Sequence, residues 1–172
     1  MSSRTATRWI LLFLALAIAG GGGLDLFGGG DGDDLGKLSA TGRIVDIVDG
    51  DTVKVRLRDH AETVRYIGVD TPESVKPGEP VECFAKRASE FNRREVDGKA
   101  VRLRFGVERR DRYGRLLAYV YVEGRGRSIN SDLVARGYGR VLVIAPNVEH
   151  AERYRRLERR ARERQLGLWS SC

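Results

Sequence analysis

Histidine and cysteine are nearly missing from this 172-residue chain, which holds two of each: His60, His150, Cys83 and Cys172. A zinc site wants about four clustered thiolate or imidazole ligands, so zinc chemistry has nothing to build on here. No Gly-Lys-Ser/Thr follows the glycine tract near the N-terminus, which excludes a phosphate-binding P-loop, and no internal repeat is visible. Long apolar runs are scarce as well. The one uncharged stretch of note, "WILLFLALAIA" from Trp9 to Ala19, has eleven residues. A spanning helix needs roughly 20.

What that stretch does resemble is an address. Arg4 and Arg8 precede it, and Ala17-Ile18-Ala19 has the small-x-small form of a signal-peptidase site. Residues 1–19 are therefore expected to be a signal peptide, the alternative being an uncleaved membrane anchor with transient membrane contact. Both place the remainder outside the cytoplasm, secreted or extracytoplasmic. Residues 20–40 turn to glycine and aspartate and read as a flexible linker, too poor in apolar side chains to offset the entropy of ordering. Residues 41–172 are left as one domain, with 41% hydrophobic content in the whole chain to build a core. The two cysteines suit an exported protein with one Cys83–Cys172 disulfide; two free thiols are the alternative.

Positive charge dominates. The formal net charge is +7, and setting aside the first 40 residues, with three basic and four acidic side chains, raises it to +8. The domain itself is drawn to polyanions, whether nucleic acid or an anionic membrane surface.

Hydrophobic alternation supplies the architecture. "TGRIVDIVDGDTVKVRL" reads as a hairpin about Asp49-Gly50, and "ETVRYIGV" as a third strand. Phe84, Ala88 and Phe91 recur at helical spacing before Gly98, and "AVRLRFGV" and "LLAYVYV" are two further strands with Asp111 to Arg115 at their tip. A short helix is expected from Asn130 to Gly137. A last one should start near Asn147 as cap, with Val148, Ala151, Tyr154, Leu157 and Ala161 on one side and seven arginines and four glutamates between Glu149 and Arg164. The order predicts an α+β, mainly β fold: a small five-stranded barrel with three helices packed around it.

Carboxylates and arginines then fall in a suggestive order. Asp51 follows the hairpin turn, Asp70 and Glu73 flank Thr71-Pro72, Arg65 precedes Asp70 by five residues, and Arg115 closes "DRYGR". Singly, each is ordinary turn or strand material. Together, two carboxylates offer hard oxygens to Ca²⁺ or Mg²⁺, a third can accept a proton from water, and two guanidinium forks can meet phosphate oxygens. Strand parity opposes Arg65 to Asp70, so a turn at Thr71-Pro72 is expected to re-aim one of them.

"DGDTVKV", "VRYIGVDTPE", "DRYGRLLAYVY" and the closing "GLWS" resemble, in order, the motifs of the staphylococcal nuclease (thermonuclease) family, over about Thr41 to Ser170. The resemblance implies an OB-fold barrel with three helices and a Ca²⁺-dependent endonuclease; no protein partner is implied and a monomer is expected. Its substrates would be DNA and RNA, and its products would carry 3′-phosphate ends. It casts Asp51 and Asp70 as calcium carboxylates and Thr71 as a backbone carbonyl donor. Glu73 becomes general base, Arg65 and Arg115 phosphate-binding catalytic arginines, and Tyr113 a contact of the nucleotide's terminal phosphate. The departures lie in "RVLVIAPN", where Leu142, Ile144 and Ala145 stand in place of the nucleotide-wall tyrosines and a lysine of the best-known member. A non-catalytic OB-fold binding module is the rival reading, and the presence of all five charged positions weighs against it.

Overall fold

The computed structural model describes residues 39–73, 78 and 80–172; the address segment and the linker up to residue 38 lie outside the described residues. Strand β1 (Ser39–Ile47) turns through Asp49-Gly50 into β2 (Thr52–Leu57), which pairs antiparallel with β3 (His60–Tyr66). Alternation sorts the faces: Ile44, Val53, Val55, Leu57 and Val64 point into the core while Lys54 and Arg56 face water. The chain then makes a two-residue strand, β4 (Val69–Asp70), and after a loop enters helix α1 (Ala85–Val96). Strands β5 (Ala100–Arg110) and β6 (Leu116–Val122) form the next hairpin, followed by α2 (Ile129–Ala135), β7 (Arg140–Val141), α3 (Ala151–Glu163) and a closing turn, α4 (Leu168–Ser171).

Five strands close a barrel in the order β1-β2-β3-β6-β5. All neighbours are antiparallel except β3 and β6, whose parallel pairing sets Arg65 opposite Leu117 and seals the ring. Parallel neighbours need a long crossover, and α1 lies on it, burying Ala88, Phe91 and Val96. This is the mainly β, five-stranded OB-fold barrel with three helices that the sequence predicts, and β1 begins at Ser39, just ahead of the expected boundary.

Two local expectations are corrected. The expected single strand "ETVRYIGV" breaks into β3 and β4 at Ile67-Gly68, where Gly68 takes φ +80°. A side chain there would be strained, and its Cβ would stand 2.7 Å from the Tyr154 ring. Asn147 does not cap α3. Its amide is spent on β5, accepting from Glu108 N–H and donating to Glu108 C=O at 2.9 Å each, and the helix starts after His150 with Val148 left exposed. For α2 the cap is Ser128, whose Oγ accepts from Ser131 N–H at 3.2 Å.

Cys83, just before α1, is bonded to Cys172, with Cα atoms 6.0 Å apart and a sequence separation of 89. Closing so long a loop restricts the unfolded chain and is worth up to about 4 kcal/mol. Reduction should lower the melting temperature by several degrees, and two alkylatable thiols in the unreduced protein would contradict the bond.

Candidate active site

Asp51 stands at the start of β2, buried at 4% exposure. A carboxylate there must be matched by donors. Thr71 N–H and Oγ1 both donate to its Oδ2, at 2.7 and 3.0 Å, Thr52 Oγ1 donates to Oδ1 at 3.1 Å, and Arg65 Nη1 lies 2.9 Å from Oδ1. Burial pushes the carboxyl up to about 7, against the pull of Arg65 and of the two Thr71 hydrogen bonds. The close approach of Thr71 depends on Gly50, because a Cβ at that turn would sit 2.6 Å from Thr71 Oγ1.

Arg65 joins this carboxylate to a second one. Its Nη2 donates to Asp70 Oδ1 at 2.7 Å and its Nη1 to the Val69 carbonyl at 2.8 Å. The parity conflict between Arg65 and Asp70 is resolved by the Ile67-Gly68 turn, ahead of Asp70, and not by Thr71-Pro72. Asn130 fixes that turn from beneath. Its buried amide donates to Ile67 C=O and Ala118 C=O at 2.9 and 3.1 Å and accepts from Val120 N–H at 2.9 Å. On the other side, β4 pairs with β7, Asp70 opposite Arg140.

The β5–β6 tip carries the remaining cations. Asp111 accepts from Tyr113 N–H and Arg115 N–H at 2.9 and 3.0 Å and from Arg115 Nε at 2.7 Å. Partial burial opposes ionisation of Asp111, yet Arg115 and the two N–H groups together hold its carboxyl below the ordinary value. With Nε engaged, the Nη groups of Arg115 meet no acceptor among the described residues. Tyr113 is exposed, its ring beneath the guanidiniums of Arg112 and Arg115 at 4.8 and 5.5 Å. Arg110 grips Glu62 of β3 with both Nη groups, at 3.1 and 2.8 Å, which ties the tip to the strand that carries Arg65 and lowers the Glu62 carboxyl.

Between these parts lies a cavity of about 430 Å³ lined by Arg65, Tyr113, Arg115, Leu142 and Ile144 among others. Leu142 and Ile144 reach its wall from beyond β7, both exposed; Ala145 is not among the lining residues. Glu73 is half-buried, and its backbone makes a neck with Glu82: Glu73 N–H donates to Glu82 Oε2 at 3.1 Å and Glu82 N–H to Glu73 C=O at 3.0 Å.

A divalent cation can be tested against these donors. No three acidic, histidine or cysteine side chains gather at one point among the described residues. The carboxylates of Asp51 and Asp70 nevertheless converge on a single cationic group, and burial disfavours charge on Asp51 unless a cation compensates it. Hard oxygens, few in number and open to further ligands from water or phosphate, fit Ca²⁺ or Mg²⁺. Sequence reasoning named the carboxylates and arginines of this cluster; it missed Asp111, Asn130, Thr52 and Glu82, of which only Asp111 carried a signal, the i to i+4 spacing to Arg115.

Comparison with known proteins agrees with the fold. A family profile described as "Staphylococcal nuclease homologue" matches residues 63–171. The thermonuclease of Staphylococcus hyicus is 36% identical over 132 residues, 76% of each chain. The SPbeta prophage-derived endonuclease YokF of Bacillus subtilis (strain 168) is 41% identical over 125 residues, and endonuclease YncB of the same strain is 42% identical over 125. Those alignments take in 72% of this chain but only 42% and 58% of the two Bacillus proteins. With the barrel, the motif order and the profile in agreement, the chain belongs to the staphylococcal nuclease family.

Proposed function

We propose that the domain is a Ca²⁺-dependent endonuclease hydrolysing phosphodiesters in DNA and RNA to products with 3′-phosphate ends. The observation that carries the reading is the single Arg65 guanidinium bridging Asp51 and Asp70 at the edge of a cavity that Arg115 and Tyr113 also line. Asp51, Asp70 and the Thr71 carbonyl would hold the ion, which when bound supplies Lewis-acid charge to the phosphodiester.

The rest falls to the chain's own groups. Glu73 takes a proton from the attacking water as its oxygen bonds to phosphorus. Arg65 and Arg115 offer N–H forks to the equatorial oxygens as charge builds there. The P–O5′ bond breaks, the 5′ oxygen takes a proton from solvent water and leaves as a hydroxyl, and the phosphate stays on the 3′ side. Tyr113, oriented by two arginines, meets the terminal phosphate.

Full-length protein incubated with plasmid, single-stranded DNA and RNA should cleave all three in Ca²⁺ and none in chelator. Binding without cleavage in every metal would instead establish a passive OB-fold module. The aliphatic wall adds a second expectation. Stacking of a base on an aromatic face is worth about 1–3 kcal/mol, and Leu142 and Ile144 cannot supply it. The double substitution Leu142→Tyr/Ile144→Tyr should lower KM for a dinucleotide about 5-fold or more while changing KM for a long single strand little. Equal KM values in both proteins would show that this wall does not touch bases.

A further inference from the structure

Helix α3 carries its charge sorted by flank. Arg153, Arg156, Arg160 and the capping residue Arg164 follow one another at i, i+3, i+7 and i+11, within about 80° of arc and over about 17 Å of axis. All four are exposed, and among the described residues none has a carboxylate within ion-pairing distance. The acids of the helix are used on the other flank, where Glu152 pairs with Arg155 and Glu158 with Arg162. Arg162 also stacks on Trp169 at 4.3 Å. Glu163, between the flanks, is exposed. Like charges three and four residues apart destabilise a helix, so this stripe costs the fold something and repays it nowhere within the described protein.

We propose that the stripe of Arg153, Arg156, Arg160 and Arg164 is a second docking surface for the sugar-phosphate backbone of a long polynucleotide, separate from the cavity where the scissile bond sits. Guanidinium forks match phosphate oxygens in pairs, and successive arginines about 6 Å apart along the helix offer a row of them. An anionic lipid surface is the competing polyanion, and the packing of α3 argues against it. A helix that lies on a membrane buries an apolar face in the lipid. The apolar face of α3 is already taken: Tyr154 and Ala161 are buried in the fold, Tyr154 with its hydroxyl 3.3 Å from Ser128 Oγ. What remains outside is charge alone, which suits a hydrated phosphate backbone.

This inference rests on the polynucleotide reading of the substrate, and the test separates the two. Affinity of the full chain for a long DNA duplex is measured in chelator over a salt series, so that no cleavage occurs. The variant Arg153→Gln/Arg156→Gln/Arg160→Gln/Arg164→Gln is compared with Arg56→Gln/Lys86→Gln/Arg87→Gln/Arg94→Gln, which loses the same charge elsewhere. Each phosphate contact contributes about 0.9 to the slope of log K against log salt. The stripe variant should lose about 3 of that slope and the control less than about 1, with turnover of a dinucleotide in Ca²⁺ unchanged in both. Equal losses in the two variants, or none in the stripe variant, would overturn the proposal. So would loss of binding to phosphatidylserine vesicles with the DNA slope intact, which would assign the stripe to lipid. A wild type that cleaves nothing yet shows the slope difference would sink the nuclease reading and leave the docking surface standing.

Discussion

Arg65→Ala should cut kcat on polynucleotides by about 100- to 1,000-fold, the usual cost of one preorganised donor to a charged transition state. The same change should destabilise the fold, because the Arg65 side chain is 13% exposed and its partner Asp51 only 5%. Breaking a buried pair from one side costs about 3–5 kcal/mol at most, and here a proton can relieve part of it. The folded Asp51 carboxyl is already raised by burial above its unfolded value of about 3.9, and losing Arg65 raises it further. A carboxyl raised in the folded state takes up a proton on folding, so its cost grows as pH rises from the unfolded value toward the folded one. Wild type completes that loss near pH 7, whereas the variant continues to lose stability above it. Urea melts in chelator should therefore show a larger deficit at pH 8 than at pH 5. A deficit that does not change with pH would mean that Arg65 does not compensate this carboxylate, and near-wild-type turnover would remove it from the chemistry.

Glu73→Gln should be the cleaner loss. Removing a positioned general base costs about 100- to 10,000-fold in rate, and glutamine keeps the size of the side chain. The two hydrogen bonds of Glu73 to Glu82 come from its backbone and are kept in the variant. The variant should keep wild-type affinity for DNA in Ca²⁺ and gain rate steadily with rising pH as hydroxide substitutes for the base. A variant whose rate fell along with DNA affinity would point to a positioning role for Glu73 instead.

Local pattern carried much of this into view, and non-local pairing hid the remainder. Ile44, Val53, Val55 and Leu57 betray two strands by period alone, and Asp49-Gly50 betrays the turn between them. The parallel contact of β3 with β6 has no local mark, because its partners are joined only by a crossover that contains α1. Asn147 looked like a cap because asparagine before a helix commonly is one; here the backbone of Glu108 claims its amide first. The charged members of the site were readable as types at fixed spacing. How they meet was not, since that depends on Gly68 adopting φ +80° over Tyr154 and on Asn130 reaching Ile67 from another helix.

The neck between Glu73 and Glu82 has a partner in the covalent structure. Glu82 is followed directly by Cys83, so the bond to Cys172 tethers the residue that holds the backbone of Glu73, the residue proposed as base. Oxidised, Glu82 is held through Cys83 to Cys172, and the two neck hydrogen bonds have only the Glu73 side to hold. Reduced, they must hold both. The covalent link and the two neck hydrogen bonds thus act in series: Cys172 steadies Cys83, Cys83 steadies Glu82, and Glu82 steadies the backbone of Glu73.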